Sequence, residues 1–271
     1  MRSVRQDGKV GFRRALATAV LASALLATGA TGCARPVAPA EHLDRLDKKA
    51  TSTVRTHGVP AATYRRWGLP APLAPAPEPP ARPDVRPAGP GLPPVVDRVP
   101  TRDKVVFLTF DDGAERDPRF VDLVRELRLP VSMFLTDSVV GPGYAHFGRL
   151  RAVGASVQNH TLDHPYLPSL PYAGQRAEIC GQQDKLKHRF GIRPHLFRPP
   201  YGAYNDDTLR AAADCGVAAV VLWSDAKRLR PGDILHCPEG RDGATLAETT
   251  TRMLNHIQQQ GFTVARLEDY L

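Results

Sequence analysis

The chain has 271 residues and a formal net charge of +8, so it is long enough for one large domain or two small ones. About half of that charge lies in residues 1–32, and the remainder of the chain is only mildly basic. We find no stripe of Lys and Arg interleaved with aromatic residues and no nucleic-acid module motif. We therefore do not expect this protein to bind nucleic acid.

Residues 1–32 have the pattern of a secretory signal peptide. Arg13 and Arg14 precede an apolar stretch over residues 15–30 that is too short to span a bilayer as a mature helix. Cys33 follows two small residues, as at a bacterial lipoprotein cleavage site, although Ala30 stands where that pattern prefers Leu. We expect an acylated Cys33 to hold the protein on the outer face of the cytoplasmic membrane. The alternatives are ordinary secretion into the cell wall and export by the twin-arginine route.

Residues 33–100 are predicted to be a disordered, Pro-rich tether. Between residues 60 and 100 lie 13 of the 26 prolines of the chain, a density that favours extended polyproline geometry over a packed core. At ~3.1 Å per residue, such a segment could hold a domain on the order of 100 Å from its anchor.

Residues 101–271 alternate between strand and helix patterns, which predicts an α/β domain with a parallel sheet. The expected strands cover residues 105–109, 131–136, 155–158, 195–197, 217–223, 233–235 and 263–267. The expected helices cover residues 118–128, 144–153, 175–190, 206–215 and 245–259. This length is short for eight βα units, so we expect a distorted (β/α)7 barrel, either closed or incomplete.

Two adjacent acids end the first of these strands, in the sequence TFDDG over residues 109–113. The preceding apolar run has no polar alternation and predicts a strand buried on both faces. Charge at the end of a buried strand needs a positive partner, because an unpaired charge in the interior is costly. Taken alone, an Asp-Asp-Gly sequence is as well explained by a turn.

Two later loops carry the partners that such acids need. His160 and His164 follow another predicted strand, and two imidazoles with a carboxylate are usual ligands of a catalytic zinc site. Arg198 begins the sequence RPPYG after a further strand, where it could pair with Asp111. In the same loop, the backbone N–H of Tyr201 could face an oxyanion.

In this order the three motifs resemble those of the polysaccharide deacetylases, which form carbohydrate esterase family four and have the NodB-homology fold. The resemblance covers about residues 103–271. The resemblance implies a divalent-metal hydrolase that removes acetyl groups from N-acetylated glycans such as peptidoglycan, chitin or exopolysaccharide. It implies zinc as the ion, with cobalt or nickel as alternatives. It also implies roles for residues: Asp112, His160 and His164 as metal ligands, Asp111 as the general base, Arg198 as its partner and Tyr201 as an oxyanion donor.

The later motifs depart from the family pattern. His236 corresponds to the histidine that acts as general acid, but Ile234 takes the place of a Leu. The Asp-Trp pair expected beside that histidine is absent from the sequence, and Trp223 and Asp225 are the nearest substitutes. Trp223 could line the sugar groove or belong to the core.

Three cysteines follow Cys33. Cys180 and Cys215 lie on successive predicted helices, and export permits a disulfide between them. The alternative is a pair of buried thiols that act as small apolar side chains. If that disulfide forms, Cys237 is the cysteine that remains outside it.

We therefore expect a monomeric enzyme that acts on an acetylated glycan polymer. One alternative is a wall-anchored glycan-binding protein that keeps the fold and has lost catalysis. Another is an O-acetyl esterase that uses the same residues.

Overall fold

A computed structural model describes residues 58–224, 228–237 and 243–271. The predicted signal peptide over 1–32, the acylation of Cys33, the first part of the tether and Asp225 lie outside the described residues. Within the described part of the chain, no helix combines the length and the apolar character needed to cross a bilayer.

In the described part of the chain, eight strands form one parallel sheet. They are β1 (Val95–Val96), β2 (Val105–Asp112), β3 (Val131–Leu135), β4 (Ser156–Asn159), β5 (Leu196–Phe197), β6 (Ala219–Val221), β7 (Ile234–His236) and β8 (Thr263–Val264). The order across the sheet is β1-β6-β5-β4-β3-β2-β7, and β8 pairs with the start of β2. All of these pairs are parallel, as crossover helices between single strands require.

One described helix precedes the sheet, and the others lie in connections between strands. They are α1 (Ala61–Arg66), α2 (Pro118–Leu127), α3 (Asp137–Val140), α4 (Tyr144–Ala152), α5 (Tyr172–Phe190), α6 (Asp206–Asp214) and α7 (Leu246–Gln259). Local sequence explains several of the starts. Asn205 and Thr208 form a capping box at α6, Thr245 and Glu248 form another at α7, and the Asp117 side chain caps α2.

The sheet curls until its two ends approach each other. Beyond β6, the backbone N–H of Ser224 donates to the carbonyl of Ile234 in β7 at 2.9 Å. Phe107 and Phe134 are fully buried within one apolar cluster, and the helices α2, α4 and α7 pack on the other side of the sheet. The predicted distorted and incomplete barrel is confirmed.

The Pro-rich tether prediction is wrong for residues 58–100. Tyr64, Leu69 and Leu73 are 0%, 1% and 4% exposed, and they join the same core cluster as α2 and α7. Further on, β1 pairs with β6. The proline count did not reveal that apolar residues between the prolines are spaced to bury against the domain.

Backbone carbonyl groups of this segment accept hydrogen bonds from side chains of the domain. The Asn255 amide donates to the carbonyl of Gly68 at 3.1 Å, and the Gln258 amide donates to that of Ala71 at 2.7 Å. The hydroxyl of Thr263 donates to the carbonyl of Ala74. A segment rich in proline has few N–H donors, so side chains of the domain satisfy its acceptors instead.

Replacement of Tyr64 by alanine is therefore expected to lower the free energy of unfolding by about 3 kcal/mol, because it empties a fully buried site. Urea titration of the variant measures this, with Arg65→Ala, an exposed neighbour, as the matched control. An unchanged midpoint for Tyr64→Ala would mean that this segment is a tether after all.

Cys180 and Cys215 form a disulfide that joins α5 to the end of α6, with their Cα atoms 5.0 Å apart. The two cysteines are therefore bridged and are not a pair of buried thiols. Cys237, at the end of β7, is buried and lies outside the bridge.

Loss of this bridge should destabilise the domain, because the two cysteines close a loop with a sequence separation of 35. Loop closure of that length contributes about 3–4 kcal/mol through the unfolded chain. We expect Cys180→Ala/Cys215→Ala to lower the urea midpoint of unfolding, as reductant should in the wild type. Replacement of Cys237, which lies outside the bridge, should not have the effect that reductant has. Equal midpoints with and without reductant in the wild type would contradict the bridge.

Candidate metal centre and active site

The candidate residues converge because each follows the carboxyl end of a parallel strand. Asp111 and Asp112 end β2, His160 follows β4, Arg198 follows β5, and His236 ends β7. Carboxyl ends of neighbouring parallel strands meet at one edge of a sheet, which is where barrel enzymes carry their chemistry. Six of the seven predicted site residues each contact at least one other of the six, and Tyr201 joins them through His164.

Asp112, His160 and His164 form a compact cluster. The Asp112 Oδ1 atom lies 3.5 Å from His160 Nε2 and 3.3 Å from His164 Nε2, and the three ligand atoms lie within 4.8 Å of one another. Two ligands of a tetrahedral zinc ion, each bound at ~2.0–2.1 Å, are about 3.3 Å apart. The cluster therefore has the dimensions of a zinc-type site.

Hydrogen bonding supports a cation in this position. The Nδ1 atom of His160 lies 2.7 Å from the carbonyl of Arg198, and because a carbonyl only accepts, Nδ1 carries the proton. Burial lowers the pKa of His160, which favours the neutral ring with its Nε2 lone pair turned to Asp112. Asp112 Oδ1 is itself buried and lacks a hydrogen-bond partner among the described residues. Acceptors that face one another need a positive ion between them, so these three residues fit a metal.

Backbone strain is concentrated at the same place. Among the described residues, five that are not glycine have positive φ, and four of them belong to the site: Asp112, Thr161, His164 and Tyr201. Such conformations cost on the order of 1–3 kcal/mol each, and they persist where the surroundings hold a side chain in position. Gly113 completes the turn after Asp112, because a Cβ there would lie 2.9 Å from Phe147 and its φ is 86°.

Arg198 and Asp111 form a buried ion pair. Arg198 Nη1 donates to Asp111 Oδ1 at 2.6 Å, and the guanidinium is fully buried. Burial by itself raises the pKa of Asp111, but Arg198, together with His160 and His236, outweighs it, so the pKa lies below its ordinary value. Asp111 is therefore ionised at neutral pH.

Three further N–H donors of Arg198 are also satisfied. They bind the hydroxyl of Thr109 and the carbonyls of Val221 and Leu222 at 2.9–3.3 Å. A buried charge with this many partners is held in one orientation.

His236 faces the other oxygen of Asp111. Its Nε2 lies 3.5 Å from Asp111 Oδ2, and its side chain is 33% exposed. The β2–β7 register sets His236 opposite Thr109, one strand away from the acids. The Trp223 ring is half-buried, lies 5.6 Å from the His236 ring and is the same distance from the Arg198 guanidinium. Trp223 therefore contacts the site and is not part of the apolar core.

Tyr201 lies on the exposed side of the cluster. Its ring centre is 4.7 Å from that of His164, and the residue is 65% exposed. Its φ of 60° turns the backbone sharply within the loop over residues 198–202. This contact brings Tyr201 beside the cluster of Asp112, His160 and His164.

Sequence reasoning missed the residues that support the histidine loop. The Asn159 side chain accepts from the N–H of Thr161 and donates to the carbonyl of Ile179. Glu178 of α5 accepts from the N–H groups of Leu162 and Asp163 at 3.0 and 2.9 Å. Asn159 immediately precedes His160 and could have been suspected, whereas nothing in the sequence connects Glu178 with this loop.

Comparison with known families agrees with this geometry. Residues 98–220 match the family model described as polysaccharide deacetylase. The chain belongs to the polysaccharide deacetylase family. A protein of Streptomyces coelicolor named as uncharacterized is 60% identical over 194 residues, which cover 66% of this chain and 78% of that protein. A peptidoglycan-N-acetylglucosamine deacetylase of Bacillus cereus is 24% identical, over 64% of this chain and 91% of that enzyme.

A solved structure shares the fold. The structure of a carbohydrate esterase family 4 pseudoenzyme from Bacillus anthracis has a TM-score of 0.57 and 20% identity, and the match covers 66% of this chain and 69% of that one. At this identity the likeness shows the deacetylase fold alone. Deacetylase activity in this chain must be argued from its own residues.

Proposed function

We propose that this protein is a metal-dependent hydrolase that removes N-acetyl groups from a polysaccharide built on N-acetylglucosamine or N-acetylmuramic acid units. The observation that carries the proposal is the pairing of a complete ligand set with a separate, ionised carboxylate. Asp112, His160 and His164 fit a metal, while Asp111 is held beside them by Arg198. A protein that only bound glycan would have no use for this second acid.

Asp112, His160 and His164 would hold the ion, with zinc, cobalt and nickel as the candidates. When bound, a divalent ion supplies water activation and polarisation of the acetamide carbonyl. Asp111 would take the proton of the attacking water at Oδ2, because its Oδ1 is engaged by Arg198. The Tyr201 N–H would donate to the oxyanion. His236 would donate a proton from Nε2 to the departing amine.

The geometry around Asp111 supports the roles of Asp111 as general base and His236 as general acid. A general base must be ionised, and the buried Arg198 keeps the pKa of Asp111 low. His236 lies on the opposite oxygen, 33% exposed, where a protonated imidazole could reach both the carboxylate and a substrate in the cleft. Base and acid are thus on neighbouring strands, β2 and β7.

A catalytically impaired glycan-binding protein is the second candidate. Two observations favour it: the sequence departs from the family pattern around His236, and the family includes a pseudoenzyme of the same fold. An O-acetyl esterase using the same residues is a third, and O-acetylated substrates distinguish it. We also propose that the protein is exported, and anchored through Cys33, because of the signal-like residues 1–32.

Acetate release from peptidoglycan and from N-acetylglucosamine oligomers, with and without chelator, tests the proposal. We expect release that chelator abolishes and that zinc or cobalt restores, since the proposed water activation and carbonyl polarisation depend on the bound ion. Absence of chelator-sensitive acetate from any N-acetylated polymer would favour the binding protein. Release only from O-acetylated polymers would favour the esterase.

A further inference from the structure

A second cleft lies outside the barrel, between the start of α2, the start of α7 and the end of α1. Its volume is about 420 Å³. The residues that line it include three arginines, one tryptophan and one acid: Arg66, Arg119, Arg252, Trp67 and Glu248. None of them belongs to the site described above.

The cleft has a surplus of positive charge. Arg119 lies 4.0 Å from the carboxylate of Glu248, the one acid among the lining residues, with both side chains more than half exposed. An ion pair this exposed is weak and is readily exchanged for another anion. Arg66 pairs with Glu126 beside the cleft, so the three arginines outnumber two acids, and the lining complements an anionic ligand.

One wall of the cleft is held in place. Glu126 of α2 accepts from the indole N–H of Trp67 at 2.6 Å and also pairs with the Arg66 guanidinium. The aromatic ring and the neighbouring charge are thus fixed before a ligand arrives. Rigid aromatic side chains beside a few oriented polar groups are the usual lining of a ligand cleft.

The cleft opens near the edge of the sheet that carries the catalytic groups. The helices α2 and α7 follow β2 and β7, so both begin at the carboxyl edge where Asp111 and His236 lie. Asp117 joins the two helix starts, because its side chain accepts from the N–H of Ala247 at 3.5 Å. A polymer bound over Asp111 and His236 could extend across this rim into the cleft.

We propose that this cleft is a second binding site for the polysaccharide and that it takes a carboxylate-bearing saccharide segment. Arg66, Arg119 and Arg252 pair with the carboxylates, and a sugar ring packs on Trp67. The choice of a glycan rather than another anion rests on the deacetylase function proposed above. The site would give the enzyme a preference for acidic polymers over neutral ones.

Binding of oligogalacturonate, a carboxylated glycan, and of neutral chitohexaose to the full chain tests the site. We compare the wild type with Arg66→Gln/Arg252→Gln by titration calorimetry at low salt. The variant should bind oligogalacturonate about tenfold more weakly and chitohexaose unchanged, because it removes two charges from the lining. Higher salt should lower the affinity of the wild type for oligogalacturonate towards that of the variant.

A control variant separates this site from general surface charge. Arg176→Gln/Arg193→Gln removes two exposed arginines that also pair with carboxylates, on the α5 side of the domain. The inference would be overturned if both double variants weakened the binding of oligogalacturonate equally, or if Arg66→Gln/Arg252→Gln did not weaken it. His160→Ala should still bind oligogalacturonate, so the outcome stands whether or not deacetylation is found.

Discussion

Asp111→Asn is expected to reduce acetate release by about a hundredfold to ten-thousandfold, the range typical for loss of a general base, while metal content stays complete. Asparagine keeps the size of the side chain and can still accept from Arg198, but it cannot take a proton from water. Asp111 contacts Arg198 and His236, whereas the ligand cluster is built on Asp112. Acetate assays together with elemental analysis of the purified variant measure both quantities.

Two controls make this result interpretable. Asp163→Asn changes an exposed acid in the histidine loop and should leave both metal and rate unchanged. Because loss of the charge on Asp111 leaves Arg198 buried without its counter-ion, the unfolding temperature must be measured as well. A folded Asp111→Asn enzyme with full activity would remove Asp111 from the proposed chemistry.

His160→Ala is expected to lose both the metal and the activity. His160 is 2% exposed, offers Nε2 to the cluster and is oriented by the carbonyl of Arg198. Loss of such an orienting bond alone typically costs ten- to a hundredfold in metal affinity, so loss of the ligand itself should cost more than about a hundredfold. Competition with a chromogenic chelator gives the affinity, and acetate release gives the rate.

His188→Ala is the matched control for that variant, because His188 is an exposed histidine near the end of α5. It should bind metal and release acetate like the wild type. If His160→Ala instead kept full metal content and full activity, the ligand assignment would be wrong. Loss of activity with full metal content would point to a role for His160 other than coordination.

Much of the site could be predicted from sequence because its residues sit at strand ends. An apolar run that stops at Asp111, and predicted strands that end before His160 and Arg198, set these side chains on one edge once the strands are parallel. The tautomer of His160 could not be predicted, since it depends on a carbonyl 38 residues away in sequence.

The Pro-rich segment shows where composition misleads. Proline content predicts a segment without a packed helix or sheet, and residues 68–74 form neither, but they lie on the domain as a surface strap and not as a free tether. Leu69 and Leu73 bury their side chains, while the carbonyls of the strap bind Asn255 and Gln258. Each of these contacts joins residues almost two hundred positions apart, which local pattern cannot reveal.

Sequence alone does not decide the Cys180–Cys215 disulfide, for a related reason. Successive helices in a barrel are neighbours, but only their crossing decides whether two Cα atoms come to 5.0 Å. Short elements were missed as well: β1 follows two prolines, and α3 has a single turn.

Anomalous diffraction from crystals grown with zinc or cobalt locates the ion and the residues that hold it. We expect one peak about 2.0–2.2 Å from Asp112 Oδ1, His160 Nε2 and His164 Nε2, with Asp111 bound to Arg198 and outside the coordination sphere. An active protein whose ion lies elsewhere, or is coordinated by Asp111 in place of Asp112, would contradict this assignment of the ligands.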